Sequence, residues 1–475
     1  MKNNKNLEIA LNGPIVKSIF ALAIPILFAN LLQSAYQLTD AFWVGRLGKD
    51  AVASVSVSFP ITFFMISLGA GFAVAGSTFI AQYVGAKNFK MVNHVAAQTL
   101  LMVVIISLFV GTIGYIISPF LLSLMGVTNA VFSDALNFLR ISFIGMIFVF
   151  SFSMFQSIMR GLGEVKMPMK IIFGTVLLNL IVDPLFIFGY GIFPAMGVAG
   201  AAMATLITQG IASIIGLVIL LKGNYHIHLK ISDFLPDYSY IKKAFFLGLP
   251  SSIEMSARSL GMLIMTFLVT SFGSIAVASY GAGGNILQLV MIFGLGFTMA
   301  TSVLVGQNIG AKNMARASEI AKVSSIISFL FLSFLGLVVF FTGPYLIAFF
   351  VPGEETVIKL GSELLTVVSL SFGLIGIQMV MTGIFRAAGN MKTTLVLTLI
   401  SQLILQFPIA YILSKHTSLG LDGIWYSMLI TNIIITIISV LWFMKGDWKK
   451  SNLISKDTIM KEKILEDTLI EEGIR

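Results

Sequence analysis

The chain has 475 residues, of which 57% are hydrophobic and only 11% are charged, and its mean hydropathy is +0.97. Soluble globular proteins of this length carry far more charge, so the composition excludes that class and predicts a polytopic membrane protein. The sequence contains no cysteine, which excludes disulfides, thiolate metal sites and cysteine nucleophiles. Its four histidines lie in predicted loops and form no recognisable metal-binding pattern.

Twelve apolar segments are long enough to cross a bilayer as helices, and a polar stretch divides them six and six. The first six lie at about 17–44, 51–82, 94–118, 135–159, 168–190 and 197–221. The second six lie at about 243–272, 276–308, 318–343, 358–385, 393–413 and 421–444. We therefore predict an all-α membrane protein with twelve transmembrane helices. Its predicted parts are an N-terminus at 1–16, six-helix lobes at 17–221 and 243–444, a connector at 222–242 and a tail at 445–475.

The basic residues predict the orientation in the membrane. With the N-terminus inside, most of the 30 lysines and arginines fall in the termini and the even-numbered loops, as the positive-inside rule expects. This distribution accounts for the formal charge of +9 without a nucleic-acid partner. We predict a protein of the cell (plasma) inner membrane with both termini in the cytoplasm and no removed signal peptide. Ile459, Met460, Ile464 and Leu465 predict an amphipathic surface helix in the tail.

The first span carries a narrow polar stripe. Asn30, Gln33, Gln37 and Asp40 are spaced i, i+3, i+7 and i+10, which places them on one face of a helix. A carboxylate inside a membrane is costly, so it usually faces a protein cavity and marks an ion or substrate path. The alternative is an aspartate near the helix end that simply reaches interfacial water. Pro25, which precedes the stripe, predicts a kink or hinge.

The two halves of the chain repeat one another. A shift of about 225 residues aligns Pro25 with Pro250 and the segment 48–54 with 273–279, in which Gly-x-x-Ala-Val-Ala-Ser recurs. The same shift aligns two Gly-Ala-Lys-Asn turns. Six spans separate the copies, so the halves have the same orientation and a pseudo-two-fold axis along the membrane normal. Two such lobes with a site at their interface are the architecture of several secondary transporters.

Four motifs, in this order, connect the chain to a known family. They are Asp40-Ala-Phe-Trp-Val-Gly-Arg-Leu-Gly48, the repeated Gly85-Ala-Lys-Asn88, Arg160-Gly-Leu-Gly163 and Asn179-Leu-Ile-Val-Asp183-Pro184. With the duplication, the chain resembles the multidrug and toxic compound extrusion (MATE) family over about residues 15–445, and most closely its DinF-like branch. The resemblance implies efflux of organic cations in exchange for H⁺ or Na⁺ by alternating access. It also implies a cation site at Asp40, Asn179 and Asp183, with Gln156 as the nearest candidate for a further polar partner.

The two carboxylates of Asp40 and Asp183 indicate how the coupling ion is bound. Two carboxylates in one poorly hydrated pocket repel each other and are costly to ionise together, so one proton is readily held. The same pocket, with the amide of Asn179 one turn from Asp183, offers oxygen ligands for Na⁺, and the sequence does not decide between the two ions. For Asp183 the alternative role is structural, because Pro184 frees a backbone group that the carboxylate can satisfy.

Glu254 and Arg258 are spaced i, i+4 in the seventh span. The simpler interpretation is an intrahelical ion pair that neutralises itself, and the alternative is a second cation or drug site in the second lobe. Polar side chains could line the central cavity beside methionines, which suit adaptable binding surfaces. The candidates are Gln33, Tyr36, Gln37, Gln288, Gln402 and Gln406.

Other functions are less consistent with the residues. There is no P-loop motif, so ATP-driven pumping is not expected, and no catalytic constellation is visible within the spans, so we expect no enzyme and no cofactor beyond the coupling ion. The main alternative is a lipid or lipid-linked-glycan flippase of the same broader superfamily. Well inside the predicted spans we place three acids (Asp40, Asp183, Glu254) and one base (Arg258), which favours small cationic substrates. We expect a monomer whose only other partner is the bilayer.

Overall fold

The computed structural model describes residues 5–191, 193–223, 225–450 and 453–454. Within these residues the secondary structure is helical and contains no strand, which confirms the predicted all-α membrane fold. The predicted amphipathic helix around Ile459 and Leu465 lies outside the described residues.

Among the described residues, the first half of the chain forms seven helices, of which the first is short and the other six are long and apolar. They are α1 (Lys5–Asn12), α2 (Ile15–Gly45), α3 (Lys49–Gly85), α4 (Phe89–Leu124), α5 (Asn129–Gly161), α6 (Lys166–Phe188) and α7 (Val198–Leu221). A 3₁₀ turn at Ile231–Phe234 follows in the connector. The second half repeats the pattern with shorter pieces. They are α8 (Tyr238–Thr270), α9 (Ser274–Gly310), α10 (Met314–Phe350), α11 (Glu355–Ser369), α12 (Phe372–Ala387), α13 (Met391–Leu399), α14 (Phe407–Lys415), α15 (Asp422–Lys445) and α16 (Asp447–Lys450).

The tenth predicted span is a broken helix. In the described part of the chain, eleven helices are long and apolar enough to cross a membrane, and the pair α11 and α12 makes a twelfth if it is counted as one span. These two helices meet at Leu370 and Ser371 with a bend of 56°. The eleventh span is also irregular, because a π-helical segment at Ile400–Gln406 joins α13 to α14. Such π segments are rare and occur frequently at functional sites.

The sequence repeat is reproduced in detail by side-chain contacts. Ser54 on α3 donates a hydrogen bond to the Val131 carbonyl at 3.3 Å, and Ser279 on α9 donates to the Val357 carbonyl at the same distance. The turns that follow α3 and α9 also match. Lys87 and Lys312 have φ angles of 58° and 60°, and the next residue in each copy, an asparagine, caps the following helix.

Helices α2 and α8 each cross from one lobe to the other. The first part of α2 packs on the second lobe, where Ile19 belongs to the same buried cluster as Phe297. Its last part packs on the first lobe, where Val44 lies with Ile187. The proline at position 25 lies between these two regions, inside a helix that continues through it.

The equivalent helix α8 makes the inverse crossing. At its start Tyr240 packs against Phe79 of the first lobe, with ring centroids 5.3 Å apart. Further along, Ser252 donates a hydrogen bond to the Leu68 carbonyl at 2.6 Å. The last part of α8 belongs to the second lobe, where Met265 is buried in its core.

The two lobes meet tightly at the end of the bundle that holds α1 and α16. We call the contact of Gln82, Gly85, Gln307 and Gly310 the seam. A Cβ added to Gly85 would lie 1.8 Å from the Gln307 carbonyl oxygen, and one added to Gly310 would lie 1.8 Å from that of Gln82. Only glycine permits such an approach of two helix backbones.

The terminal segments cover the seam. Helix α1 contributes Leu7 to the buried cluster of the first lobe and Ala10 to that of the second. The Arg316 guanidinium donates to the carbonyls of Ala10 and Gly13 at the end of α1, where a positive charge is favourable. The Leu453 amide donates to the Gln82 side chain at 3.1 Å, so α1 and Leu453 contact the same closed end.

Candidate ion and substrate site

Three predicted site residues meet in the first lobe. Asn179 and Asp183 lie one turn apart on α6, and the Asn179 amide donates to an Asp183 carboxylate oxygen at 2.9 Å. Both side chains are completely buried. Asp40 reaches them from α2 and interacts with Asp183 and with Asn179. The helix pattern of the sequence thus brings two carboxyl groups and an amide into one pocket.

The pocket also contains hydroxyl groups from α7 that the sequence analysis missed. Thr205 donates a hydrogen bond to an Asp40 carboxylate oxygen at 3.3 Å, and Thr208, nearly one turn later, shares one of 2.5 Å with the Tyr36 hydroxyl. Two hydroxyls i, i+3 on an otherwise apolar helix are a weak signal, because such residues usually bond to their own backbone. Tyr36 is buried and bonded to α7 through Thr208.

Several polar atoms of the pocket have no partner. Within the described residues, one oxygen each of Asp40, Asn179 and Asp183 is buried and accepts no hydrogen bond. A buried polar atom without a partner costs about 1–3 kcal/mol, more if it is charged. Three oxygens left in this way can take a proton between the carboxylates, or together ligate a hard cation, which prefers carboxylate and carbonyl oxygens.

A second charged cluster lies in the other lobe. Glu254 on α8 is completely buried, and one of its oxygens accepts from Arg386 on α12 at 2.8 Å and from Arg258 at 3.3 Å. Thr398 on α13 donates to the same oxygen at 3.4 Å. The intrahelical pair of Glu254 and Arg258 exists, but it is not self-neutralising. The closer partner comes from another helix, and the cluster has two guanidinium groups for one carboxylate.

The expected three-to-one excess of acids over bases within the spans is wrong. Arg160 and Arg386 fall inside α5 and α12, each just beyond the predicted end of its span. Arg160 donates to Ser157 at 2.5 Å, and the Arg386 side chain is only 15% exposed. The longer helices therefore show no excess of acids. Arg160, Arg258 and Arg386 equal the three acids in number, and Arg140 on α5 is a further arginine within a span.

The other predicted site residues lie in different surroundings. Gln33, Gln37 and Gln288 are exposed on α2 and α9, whereas Gln402 and Gln406 are half-buried in the π-helical segment. The Gln402 side chain packs against Gly261 of α8, one turn beyond the Glu254 cluster. Gln156 is half-buried on α5, and none of the hydrogen bonds described for the acidic pocket reaches it.

The fold and the site together define a class of protein. A helical membrane protein made of two parallel six-helix repeats, with buried charged side chains in both lobes, is a polytopic transporter. The profile of the MatE family matches residues 25–185 and 250–412, so the chain belongs to this family of multidrug efflux transporters.

The sequence similarity to known proteins extends over nearly the whole length of the chain. The chain is 29% identical to the probable multidrug resistance protein YpnP of Bacillus subtilis over 94% of this chain and 98% of that protein. It is 27% identical to the probable multidrug resistance protein NorM of Thermotoga maritima, over 93% and 95% of the two chains. A solved structure described as the outward-facing conformation of a multidrug resistance MATE family transporter superposes with a TM-score of 0.86 and 26% identity, over 95% and 99%.

Proposed function

We propose that this protein is a secondary active antiporter of the cell (plasma) membrane that exports small organic cations in exchange for H⁺ or Na⁺. The observation that carries the proposal is the pocket of Asp40, Asn179 and Asp183, with its unpartnered oxygens. A pocket that holds either an ion or a cationic substrate, but not both, couples their movements. The two lobes then alternate access to it, as a monomer, with both termini in the cytoplasm.

In this proposal the seam lies on the cytoplasmic side, so the described conformation is open to the outside. The coupling ion enters from outside and occupies the acidic pocket. The pocket then binds the organic cation less tightly. Helix α2 then rearranges near Pro25, where the ring removes a backbone hydrogen bond and leaves a natural hinge. The seam opens once the ion is bound, and the ion leaves to the cytoplasm.

The test is uptake of ethidium into inside-out vesicles that contain the purified protein. An imposed pH gradient and an imposed Na⁺ gradient are compared in turn. We expect accumulation under one gradient, which identifies the coupling ion. The substitutions Asp40→Asn and Asp183→Asn should abolish accumulation. Asp134→Asn is the matched control, because Asp134 is exposed near the start of α5, outside the pocket.

A lipid or lipid-linked-glycan flippase is the second candidate, and the arginines of the Glu254 cluster favour it because they suit a phosphate group. A related structure from Pyrococcus furiosus, with a TM-score of 0.86, is described as having a binding pocket of reverse polarity that suggests a different function. Failure of ethidium to accumulate under either gradient, with folded protein, would favour this candidate. Lipid scrambling in the same vesicles would then be measured.

A further inference from the structure

Helix α8 has a wide exposed surface in its second half. Ile253, Leu260 and Phe267 recur every seven residues and are exposed, so they form one stripe along the helix that faces lipid. Met262 is 65% exposed, yet it lies about 180° around the helix from Ile253. Leu263, which is 51% exposed, lies between Met262 and this stripe, so the exposed surface spans about half of the helix circumference. We call its side around Met262, farthest from the stripe, the second face.

The second face of α8 turns toward the other lobe. In the first part of the helix it carries Gly248 and Ser252, which contact Phe72 and Leu68 of α3. Further along, Met262 on the same side of α8 is 65% exposed. It therefore lines the cleft between the lobes, at the end opposite the seam.

Arg258 stands at the edge of this cleft-facing surface. The repeat places it at the position of Gln33, while Met255 and Met262 correspond to Asn30 and Gln37. The first lobe thus presents an amide stripe to the cleft, and the second presents an arginine between two methionines. The repeat also matches Asp40 with a buried methionine, so the acidic pocket has no copy in the second lobe.

The charge of Arg258 is only partly compensated. Glu254 is the shared partner of two guanidinium groups, and Arg386 is the closer one, at 2.8 Å against 3.3 Å. The Arg258 side chain is 43% exposed, compared with 15% for Arg386 and none for Glu254. The surplus positive charge of the cluster is therefore presented to the cleft by Arg258. Its Nε atom has no hydrogen-bond partner among the described residues.

We propose that Arg258 is a specificity-determining residue that binds the carboxylate of zwitterionic organic substrates, whose amine is held by Asp40 and Asp183. This inference rests on the proposed function, because it assigns a specificity-determining residue to the same cleft. A guanidinium binds a carboxylate through two parallel hydrogen bonds, and methionines beside it adapt to varied apolar bodies. A purely anionic ligand fits less well, since the two carboxylates of the first lobe would repel it.

The experiment compares two dyes that differ only in one charge. Rhodamine 123 is a cationic methyl ester, and rhodamine 110 is the corresponding free acid with a carboxylate. Binding is measured by fluorescence anisotropy of the purified protein, and transport is measured by uptake into inside-out vesicles. In Arg258→Gln, which introduces the residue found in the first repeat, we expect the preference for rhodamine 110 over rhodamine 123 to fall about tenfold. Arg258→Lys keeps the positive charge but lacks the two parallel N–H donors of the guanidinium group, so it should restore part of the preference for rhodamine 110.

Arg140→Gln is the matched control. Arg140 is another arginine within a span, but it lies 4.9 Å from the Tyr115 ring in the first lobe and outside the cleft. An equal loss of both dyes in Arg258→Gln, or an unchanged preference, would overturn the inference and leave cation export standing. Absence of rhodamine 123 transport by the unmodified protein under either gradient would overturn the proposed function and this inference together. Tight binding of anionic lipid that depends on Arg258 and excludes rhodamine 110 would assign the arginine to lipid instead.

Discussion

Gln82 and Gln307 make the same contact in opposite directions across the interface of the lobes. The Gln82 amide donates to the Ala387 carbonyl at 2.8 Å, and the Gln307 amide donates to the Gly161 carbonyl at 3.0 Å. Both side chains are buried, and both carbonyls lie in the last turn of a helix. Two equivalent hydrogen bonds thus hold the seam closed, and both must be broken for the seam to open.

Replacing both glutamines by leucine should weaken the seam. Each loss leaves a buried carbonyl unpaired, which costs about 1–3 kcal/mol, so we expect the open form of this end to gain at least tenfold in population. The absence of cysteine makes the measurement direct. Cysteine placed at Ala81, which is buried beside Gly306, should react with a maleimide faster in the double variant. Equal labelling rates in the two backgrounds would contradict the prediction.

The glycines of the seam allow a sharper comparison. Gly85→Ala should prevent closure of the seam and lower the thermal stability of the protein, because the new Cβ would overlap a backbone oxygen that cannot move aside. Gly174→Ala is the control, since Gly174 is helical and nothing lies within 4 Å of an added Cβ. There we expect no loss, or a gain of about 0.5–1 kcal/mol. Similar unfolding temperatures for both variants would argue against the close approach.

Asp237 caps α8 outside the membrane-spanning segments and should make stability depend on pH. Its carboxylate accepts from the Tyr240 amide at 3.0 Å and from His94 at 3.1 Å. Burial acts to raise the pKa of Asp237, but the hydrogen bonds from Tyr240 and His94 outweigh it and hold the pKa below its ordinary value of 3.8. The carboxylate therefore stabilises the fold at neutral pH, and this contribution is lost as the pH falls below about 4.

Asp237→Ala removes the cap and should lower the stability at neutral pH by about 1 kcal/mol. The difference from the unmodified protein should shrink in acid, as measured by unfolding temperatures in detergent. Asp237→Asn keeps a capping oxygen and separates the cap from the charge. A deficit of Asp237→Ala that stays constant down to acidic pH would refute the role of the charge.

The sequence was sufficient for the repeat and for the shared face of Asn179 and Asp183, whereas the family resemblance was needed to place Asp40 beside them. A shift of the chain against itself needs no structure, and Asn179 and Asp183 share a helix face by spacing alone. Pairs between helices were not accessible in this way. The partnership of Glu254 with Arg386 joins residues far apart in the chain, and spacing favoured the weaker neighbour Arg258. The break at Leu370 also escaped detection, because an apolar segment looks the same whether its helix is straight or bent.

A sequence pattern likewise cannot show to which lobe a helix belongs. Helices α2 and α8 read as the first member of each half, yet each packs its first part on the opposite half. That crossing depends on the surfaces of α3 and α9, which carry the complementary small residues, such as Gly71 beside Ser252 and Gly296 beside Leu27.

The crossing of α2 and α8 makes the molecule resemble a domain-swapped dimer whose two subunits have been fused. The first part of the leading helix of each half packs on the other half. These contacts already hold the two halves together, so the connector between α7 and α8 is not needed for their association. Cutting the connector should therefore leave two chains that still find each other and assemble. A single half, expressed alone, would expose both the first part of its leading helix and the surface that normally receives the helix of the other half. Two copies of that half could cover these surfaces by pairing with each other.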